Sequence, residues 1–128
     1  MDKKLKVVTG LSGNDLQFID KEIRPILYQL NKKGYRTIAS CAGHTDRTGY
    51  NDRVCVCVVF DDLYNFSTMP DAYNRRYNEL YGGLKQVEIE KGKVNALYYY
   101  TSCKSPYNVK EQERLQILDM IYRWSKAL

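Results

Sequence analysis

A short segment of the chain holds most of the side chains that could carry out chemistry. The sequence Ser-Cys-Ala-Gly-His, residues 40–44, ends an apolar stretch and opens a polar loop that runs to Arg53. From Cys41 onward, this loop contains a thiol, the only histidine, two glycines, two aspartates and two arginines. Because loops held by a rigid scaffold expose backbone and side chains, ligand-binding groups collect there. The segment therefore predicts a functional site without naming a reaction.

Anion binding is the chemistry that these residue types favour most. Gly43 and Gly49 allow unusual backbone dihedral angles, and N–H groups in such loops can form a nest for phosphate. Arginines before, within and at the end of the loop can add bidentate, charge-assisted hydrogen bonds. The predicted ligand-binding residues are Arg36, Ser40, Cys41, Gly43, His44, Arg47 and Arg53. The chain has neither a P-loop nor a G-x-G-x-x-G motif, so no standard nucleotide-binding fold underlies this prediction.

Two alternative chemistries use overlapping residues. Cys41, His44, Cys55 and Cys57 are of the ligand types that zinc prefers. However, Cys55 and Cys57 alternate with valines in an apolar stretch, which predicts small core side chains, so no metal and no cofactor are expected. A nucleophile made of Cys41 and His44 would need a third, orienting group, and none is identifiable. Binding is therefore favoured over catalysis, and the catalytic residues stay unassigned.

Composition limits the class of protein. The 128 residues are 44% hydrophobic, which fits one globular domain over residues 1–128. No run reaches the roughly 18 apolar residues of a membrane span, and the first residues lack the apolar core of a signal peptide. We therefore expect a cytoplasmic protein with reduced cysteines and no membrane partner. The net charge of +5 favours a phosphate-bearing small molecule or RNA as the partner.

Tyrosine is over-represented, with 12 residues against three phenylalanines and one tryptophan. Tyr73, Tyr77 and Tyr81 share one face of a predicted helix, and Tyr98 and Tyr100 share one face of a predicted strand. Tyrosine suits interfaces because its ring buries a large area while its hydroxyl stays polar. The pattern predicts a homodimer or a higher closed oligomer. For the strand tyrosines taken alone, packing at the edge of the core is favoured over a platform on which nucleic acid bases stack.

Apolar periodicity predicts eight elements in the order β-α-β-β-α-β-β-α. The predicted strands are 5–8, 35–40, 53–60, 84–90 and 94–101, and the predicted helices are 25–33, 68–81 and 108–127. In the last helix, Leu115, Leu118, Ile121 and Tyr122 are expected to face inward. The first six elements match the split β-α-β arrangement of ferredoxin-like folds. The predicted fold is a single α+β domain of this kind with an added hairpin strand and a C-terminal helix.

One part of the sequence carries a family resemblance. The run Ile-Arg-Pro-Ile-Leu-Tyr-Gln-Leu-Asn-Lys-Lys-Gly-Tyr at 23–35, with Thr37 and the segment 40–44, resembles small uncharacterised proteins of bacteria and their phages. In that group, a helix and Lys-Lys-Gly-Tyr lead into a Ser-Cys-x-Gly-His turn. The run is more distantly similar to the wybutosine-synthesis methyltransferase family of tRNA modification, whose Ser-Cys-Ser-Gly-Arg motif has arginine where this chain has His44.

These observations lead to two expected functions. The first is a binding protein for a phosphate-bearing ligand, either a nucleotide-derived small molecule or RNA. The resemblance to phage proteins adds the idea that such a protein sequesters a host nucleotide signal and so evades host defence. The alternative is an RNA-modifying or other nucleotide-directed enzyme that uses the loop from Ser40 to His44.

Overall fold

A computed structural model of the chain describes residues 2–43, 54–70, 84–90, 93–101 and 106–128. Its helices are α1 (Asp2–Thr9), α2 (Gly13–Leu16), α3 (Arg24–Lys32) and α4 (Tyr107–Ala127), with a 3-10 helix at Lys21–Ile23. Its strands are β1 (Thr37–Cys41), β2 (Cys55–Tyr64), β3 (Leu84–Glu90) and β4 (Lys93–Tyr100). The helix predicted over 68–81 lies almost entirely outside the described residues.

The N-terminal segment is a helix, so the strand predicted at 5–8 is wrong. Leu5 is fully buried while Val7 is 83% exposed, which is the one-sided burial of a surface helix. The helix packs against α3, and the Asp2 carboxylate accepts a hydrogen bond of 2.8 Å from the Arg24 guanidinium. It ends before Gly10, whose φ of +71° suits the position after a helix. A run as short as Leu-Lys-Val-Val fits both the helical and the strand period of apolar residues. Only the tertiary contacts decide between helix and strand.

Helix α3 forms where the sequence predicts it, shifted by one residue at each end. Pro25 lies in its first turn, where the missing N–H leaves no bond unmade. Gly34 follows the helix with φ +92°, and the next N–H, of Tyr35, donates to the Leu30 carbonyl at 2.9 Å. The buried side chains Ile26, Leu27 and Leu30 face the core.

The four strands form one antiparallel sheet in the order β1-β2-β4-β3. This confirms the α+β class and the predicted hairpin of β3 and β4, in which Glu90 pairs with Lys93. The ferredoxin-like part of the prediction is not confirmed. That arrangement begins with a strand, whereas residues 2–9 are helical and β4 lies beside β2.

Strand β2 buries one face only. Val56, Val58 and Phe60 are at most 3% exposed, whereas Cys55 and Cys57 are half-buried. The expectation that both cysteines are core side chains is therefore wrong. Successive side chains of a strand point to opposite faces, and in β2 Val56, Val58 and Phe60 take the face that joins the core cluster with α3 and α4.

Helix α4 completes the core. Ile117, Ile121 and Trp124 are buried in it, whereas Leu115 is 48% exposed, contrary to the predicted inward face. The Lys33 ammonium donates to the last carbonyls of the helix, of Ser125 at 2.7 Å and Lys126 at 2.6 Å, and so joins it to the end of α3. Neither α4 nor another helix in the described ranges is long and apolar enough to cross a membrane.

Candidate functional site

Strand β1 separates the predicted ligand-binding residues onto two faces of the sheet. Its register pairs Ser40 with the buried Val58 and Cys41 with the half-buried Cys57. Ser40 therefore belongs to the face on which the helices pack, and Cys41 to the opposite face. An irregularity in pairing between Thr37 and Ala39 places Ile38 at the edge with 68% of its surface exposed. Ser40 and Cys41, which are adjacent in the motif, thus lie on different surfaces of the sheet.

A cleft of about 560 Å³ lies between the N-terminal helical segment and β1, and we call it the β1 cleft. Its apolar lining consists of Leu11, Phe18, Ile19, Leu27, Ile38 and Ala39. Its polar lining includes Asp15, Asn31, Arg36, Ser40 and Asp61. Two residues of the predicted set, Arg36 and Ser40, therefore lie in one cavity, and its volume is in the range of small-molecule sites, about 300–1,000 Å³.

The backbone of Arg36 is fixed while its side chain remains available. Its carbonyl accepts from the Asp61 N–H at 3.0 Å, and its N–H donates to the Tyr64 hydroxyl at 3.3 Å. That hydroxyl donates to the Asp61 carboxylate at 2.6 Å, which raises the pKa of Tyr64. Within the described residues, the guanidinium of Arg36 makes no hydrogen bond and no ion pair. A positive group without a partner at the edge of a cleft is suited to an anionic ligand.

The floor of the β1 cleft is held by a pair of side-chain hydrogen bonds. The buried Asn31 amide donates to the Thr37 hydroxyl at 2.9 Å and accepts from the Thr37 N–H at 3.1 Å. The same amide donates to the Leu27 carbonyl at 2.7 Å. These bonds join the end of α3 to the start of β1 and position both Arg36 and Ser40.

Contacts of Ala42 and Gly43 with neighbouring residues fix the conformation of the turn after β1. Ala42 is buried, and its N–H donates to the Asp20 carboxylate at 2.9 Å. Gly43 has φ +79°, and a Cβ atom at this position would lie 2.6 Å from Val54 Cγ1 and 3.2 Å from Arg114 Cδ. Both its dihedral angle and its neighbours therefore require glycine. The glycine predicted as part of an anion nest has a structural reason of its own.

Arg114 of α4 holds this turn in place. Its guanidinium donates to the Glu22 carboxylate at 2.9 Å, to the Ala42 carbonyl at 3.3 Å and to both oxygens of Glu111. Only 7% of the Arg114 side chain is exposed. The hydrogen bonds that Arg114 donates to Glu111, followed by the one to Glu22, raise the pKa of Arg114 further above its already high value. One buried arginine thus joins α4, the 3-10 helix and the end of β1.

The opposite face of the sheet carries a group of thiols and phenols, which we call the thiol face. Cys41 pairs with Cys57 across β1 and β2, and β4 places Tyr98 opposite Cys57 and Tyr100 opposite Cys55. All five side chains are half-buried, and the three thiols are free. No group of three or more histidine, cysteine, aspartate or glutamate side chains in the described part of the chain could hold a metal ion.

The three thiols differ in acidity. A hydrogen bond from Cys57 lowers the pKa of Cys55 below 9.0, while that same interaction raises the pKa of Cys57. Burial raises the pKa of Cys41, and the nearby Asp20 carboxylate adds to the effect. Cys55, a residue that is not in the predicted site, is therefore the thiol of this face whose pKa is lowered.

Three predicted site residues, His44, Arg47 and Arg53, lie outside the described residues. The described residues on either side of them are firmly held. Gly43 contacts Val54, and the Val54 N–H and carbonyl both bond to Thr101, each at 3.0 Å. Gly43 and Val54 therefore lie next to each other beside the sheet.

Comparisons of the chain with protein-family models, with curated proteins and with solved structures give no match. The similarity of residues 23–60 to phage proteins and to a methyltransferase family therefore remains a prediction.

Sequence reasoning missed several residues of the β1 cleft. Phe18 is 81% exposed and lines the cleft together with Asp15 and Leu11. These residues belong to the stretch before α3, where no period in the apolar residues is visible. An aromatic residue in a polar segment without periodicity is the one signal that could have indicated Phe18.

Alkylation will test the order of acidity on the thiol face. With limiting iodoacetamide at neutral pH, we expect Cys55 to be modified before Cys41 and Cys57, because the thiolate is the form that reacts. Peptide mass spectrometry after short reaction times measures the three rates. In urea the local hydrogen bonds are lost, and the rates should become similar. Faster modification of Cys57 than of Cys55 in the folded protein would contradict the assignment.

Proposed function

We propose that the β1 cleft binds a phosphate-bearing small molecule of the nucleotide type. The observation that carries the proposal is the Arg36 guanidinium, which has no partner among the described residues and lies at the edge of a cleft that also holds the exposed ring of Phe18. Guanidinium groups bind phosphate through bidentate, charge-assisted hydrogen bonds. An exposed aromatic ring offers a surface on which a base can stack. The two features together suit a ligand with both groups.

The polar lining of the β1 cleft supports the same ligand class. Ser40 adds a hydroxyl that can donate to a phosphate oxygen. The Asp15 carboxylate accepts from the Ser12 hydroxyl at 2.8 Å and has further acceptor capacity for the hydroxyl groups of a ribose. The Asp61 carboxylate already accepts from Tyr64. The cleft thus offers donors for the phosphate and acceptors for the sugar.

Two features favour a small molecule over RNA. The β1 cleft is a concave cavity of about 560 Å³, which is the shape and size that encloses a small ligand. The net charge of +5 attracts an anion over a distance, but the sequence lacks the dense basic patch of a nucleic-acid site. Sequestration of a host nucleotide signal by a phage-type protein remains part of this proposal.

The structure gives less support to an enzyme that uses the loop from Ser40 to His44. Ser40 and Cys41 point to opposite faces of the sheet, so they cannot both act on one substrate from the same side. Burial also raises the pKa of Cys41, which disfavours the thiolate that a nucleophile requires. Neither property interferes with ligand binding in the β1 cleft.

The binding proposal is tested with matched variants. We expect a nucleotide that binds the wild-type protein in isothermal titration calorimetry to lose about 10- to 150-fold in affinity with Arg36→Ala, the effect of about 1.5–3 kcal/mol for a lost charged hydrogen bond. Phe18→Ala should weaken binding as well, since it removes the stacking surface.

Arg123→Ala and Leu115→Ala are the controls, because both residues are exposed on α4 and neither lines the β1 cleft. Both controls should keep the wild-type affinity. A panel of nucleoside monophosphates, cyclic nucleotides and dinucleotides identifies the ligand to be titrated. Equal affinities of wild type and Arg36→Ala for the ligand found would exclude this cleft as its site.

Self-association remains part of the proposal. Tyr98 and Tyr100 are half-buried on the thiol face and so retain surface for a second copy of the chain; Tyr73, Tyr77 and Tyr81 lie outside the described residues. Light scattering at micromolar concentration should give a mass of at least twice 15.0 kDa. A mass of one chain would leave these tyrosines without a role in a homo-oligomer.

A further inference from the structure

The thiol face carries reactive groups that binding in the β1 cleft does not use. Cys41, Cys55 and Cys57 lie on two neighbouring strands, on the face opposite to Ser40. All three are free and half-buried, so that solvent reaches them in part. We propose that these three cysteines form a thiol oxidation site that reacts with hydroperoxides and ends as a disulfide between Cys41 and Cys57.

The register selects the pair that forms the stable disulfide. Cys41 and Cys57 are directly opposite each other in an antiparallel pair, where Cα atoms are about 4.5–5.5 Å apart. This separation lies within the roughly 4.4–6.8 Å that disulfides need. Cys55 and Cys57 are two residues apart on one strand, which places their Cα atoms about 6.6 Å apart. A bond between them is at the limit of that range and is therefore strained.

The hydrogen bonds select the thiol that reacts first. Cys55 accepts from the thiol of Cys57 and from Tyr100, and these donors lower its pKa. Cys41 and Cys57 both have raised pKa values and are therefore less reactive than Cys55. The thiol that reacts first, Cys55, is thus not part of the stable disulfide. Cys57 links the two stages, because it lies two residues from Cys55 and directly opposite Cys41.

The chemistry proceeds in three balanced steps. The Cys55 thiolate attacks one oxygen of hydrogen peroxide, the O–O bond breaks, hydroxide leaves, and Cys55 becomes a sulfenic acid. The Cys57 thiol then attacks this sulfur, the S–O bond breaks, and water leaves as the Cys55–Cys57 disulfide forms. Finally, the Cys41 thiol gives its proton to the hydroxide and attacks Cys57, which releases Cys55 as a thiolate. In total, one peroxide and two thiols give one disulfide and two waters.

Peptide mapping of the wild-type protein tests the end product. After treatment with hydrogen peroxide and blocking of the remaining thiols with N-ethylmaleimide, trypsin releases Cys41 in peptide 37–47 and both Cys55 and Cys57 in peptide 54–75. We expect these two peptides to be linked through Cys57, with N-ethylmaleimide on Cys55. Dithiothreitol should separate them. A bond between two chains, a bond to Cys103, or no bond at all would overturn the proposal.

Two variants test the order of the steps. Cys55→Ser should slow formation of the Cys41–Cys57 bond by about tenfold or more, since the remaining thiols are mostly protonated. Cys41→Ser should stop the reaction at a sulfenic acid or at the Cys55–Cys57 bond, and a dimedone label followed by mass spectrometry distinguishes the two. Circular dichroism verifies that each variant is folded. A wild-type rate in Cys55→Ser would show that Cys55 does not react first and would overturn this order.

Discussion

Replacing Arg114 with alanine is expected to lower the free energy of unfolding by about 3 kcal/mol. The change removes the hydrogen bonds that Arg114 donates to two carboxylates and to the Ala42 carbonyl. Removal of one partner from a buried ion pair costs about 3–5 kcal/mol. We expect the lower end of this range, because Glu22 and Glu111 keep 51% and 26% of their side chains exposed and regain some hydration. Urea denaturation followed by circular dichroism measures the loss.

The control for Arg114 lies on the same helix. Arg123 pairs with Asp119 at 3.0 Å, but its side chain is 73% exposed, and such surface pairs contribute about 0.2–1 kcal/mol. Arg123→Ala should therefore change the free energy of unfolding much less than Arg114→Ala does. Similar losses in both variants would mean that the buried arginine does not hold the turn after β1.

Replacing Gly43 with alanine is expected to destabilise the protein by about 2–5 kcal/mol. Part of the loss, about 1–2 kcal/mol, comes from a left-handed backbone conformation in a residue with a Cβ atom. The other part comes from overlap, because that atom would lie 2.6 Å from Val54 Cγ1, and overpacking typically costs about 1–3 kcal/mol. Thermal and urea denaturation of the variant measure the sum.

The variant Gly34→Ala separates the dihedral cost from the cost of the overlap. Gly34 has φ +92°, but a Cβ atom there has no other atom within 4 Å. Gly34→Ala should therefore show only the dihedral cost of about 1–2 kcal/mol. The difference between the two variants is the cost of the overlap at Gly43. Equal losses would indicate that Val54 moves away freely and that packing does not demand glycine at position 43.

The parts of the fold that the sequence predicts well are those with local signals. Helix α3 has Pro25 in its first turn and Gly34 after its end. The β3–β4 hairpin has two strand-like runs separated by a short polar link. The N-terminal helix lacks comparable signals, because its identity depends on Leu5 being buried and on the ion pair between Asp2 and Arg24. Such contacts connect distant residues, which a local pattern does not contain.

The candidate site was predictable to a similar extent. Arg36 and Ser40 were selected for their chemistry, and both line the β1 cleft. The separation of Cys41 from Ser40 follows from strand alternation alone, so the grouping of both in one site overlooked a property that the sequence contains. Phe18 enters the cleft only through the packing of the N-terminal helical segment. Its position depends on tertiary structure, and its aromatic ring in a polar segment was the one local signal for it.

The sheet order also determines how the chain reaches its native state. The β3–β4 hairpin joins neighbouring segments and should form within about 1–10 μs. The central pairing of β2 with β4 joins residues as distant as Cys55 and Tyr100, and such non-local pairing is slow because a long loop must close first.

During synthesis, β2 therefore leaves the ribosome well before β4, its central partner, exists. Its sequence Val-Cys-Val-Cys-Val-Val-Phe at 54–60 is uncharged and rich in β-branched residues, the composition of segments that aggregate when they are unpaired. The interval between the synthesis of β2 and that of β4 is thus the stage at which this chain is most exposed to misassembly.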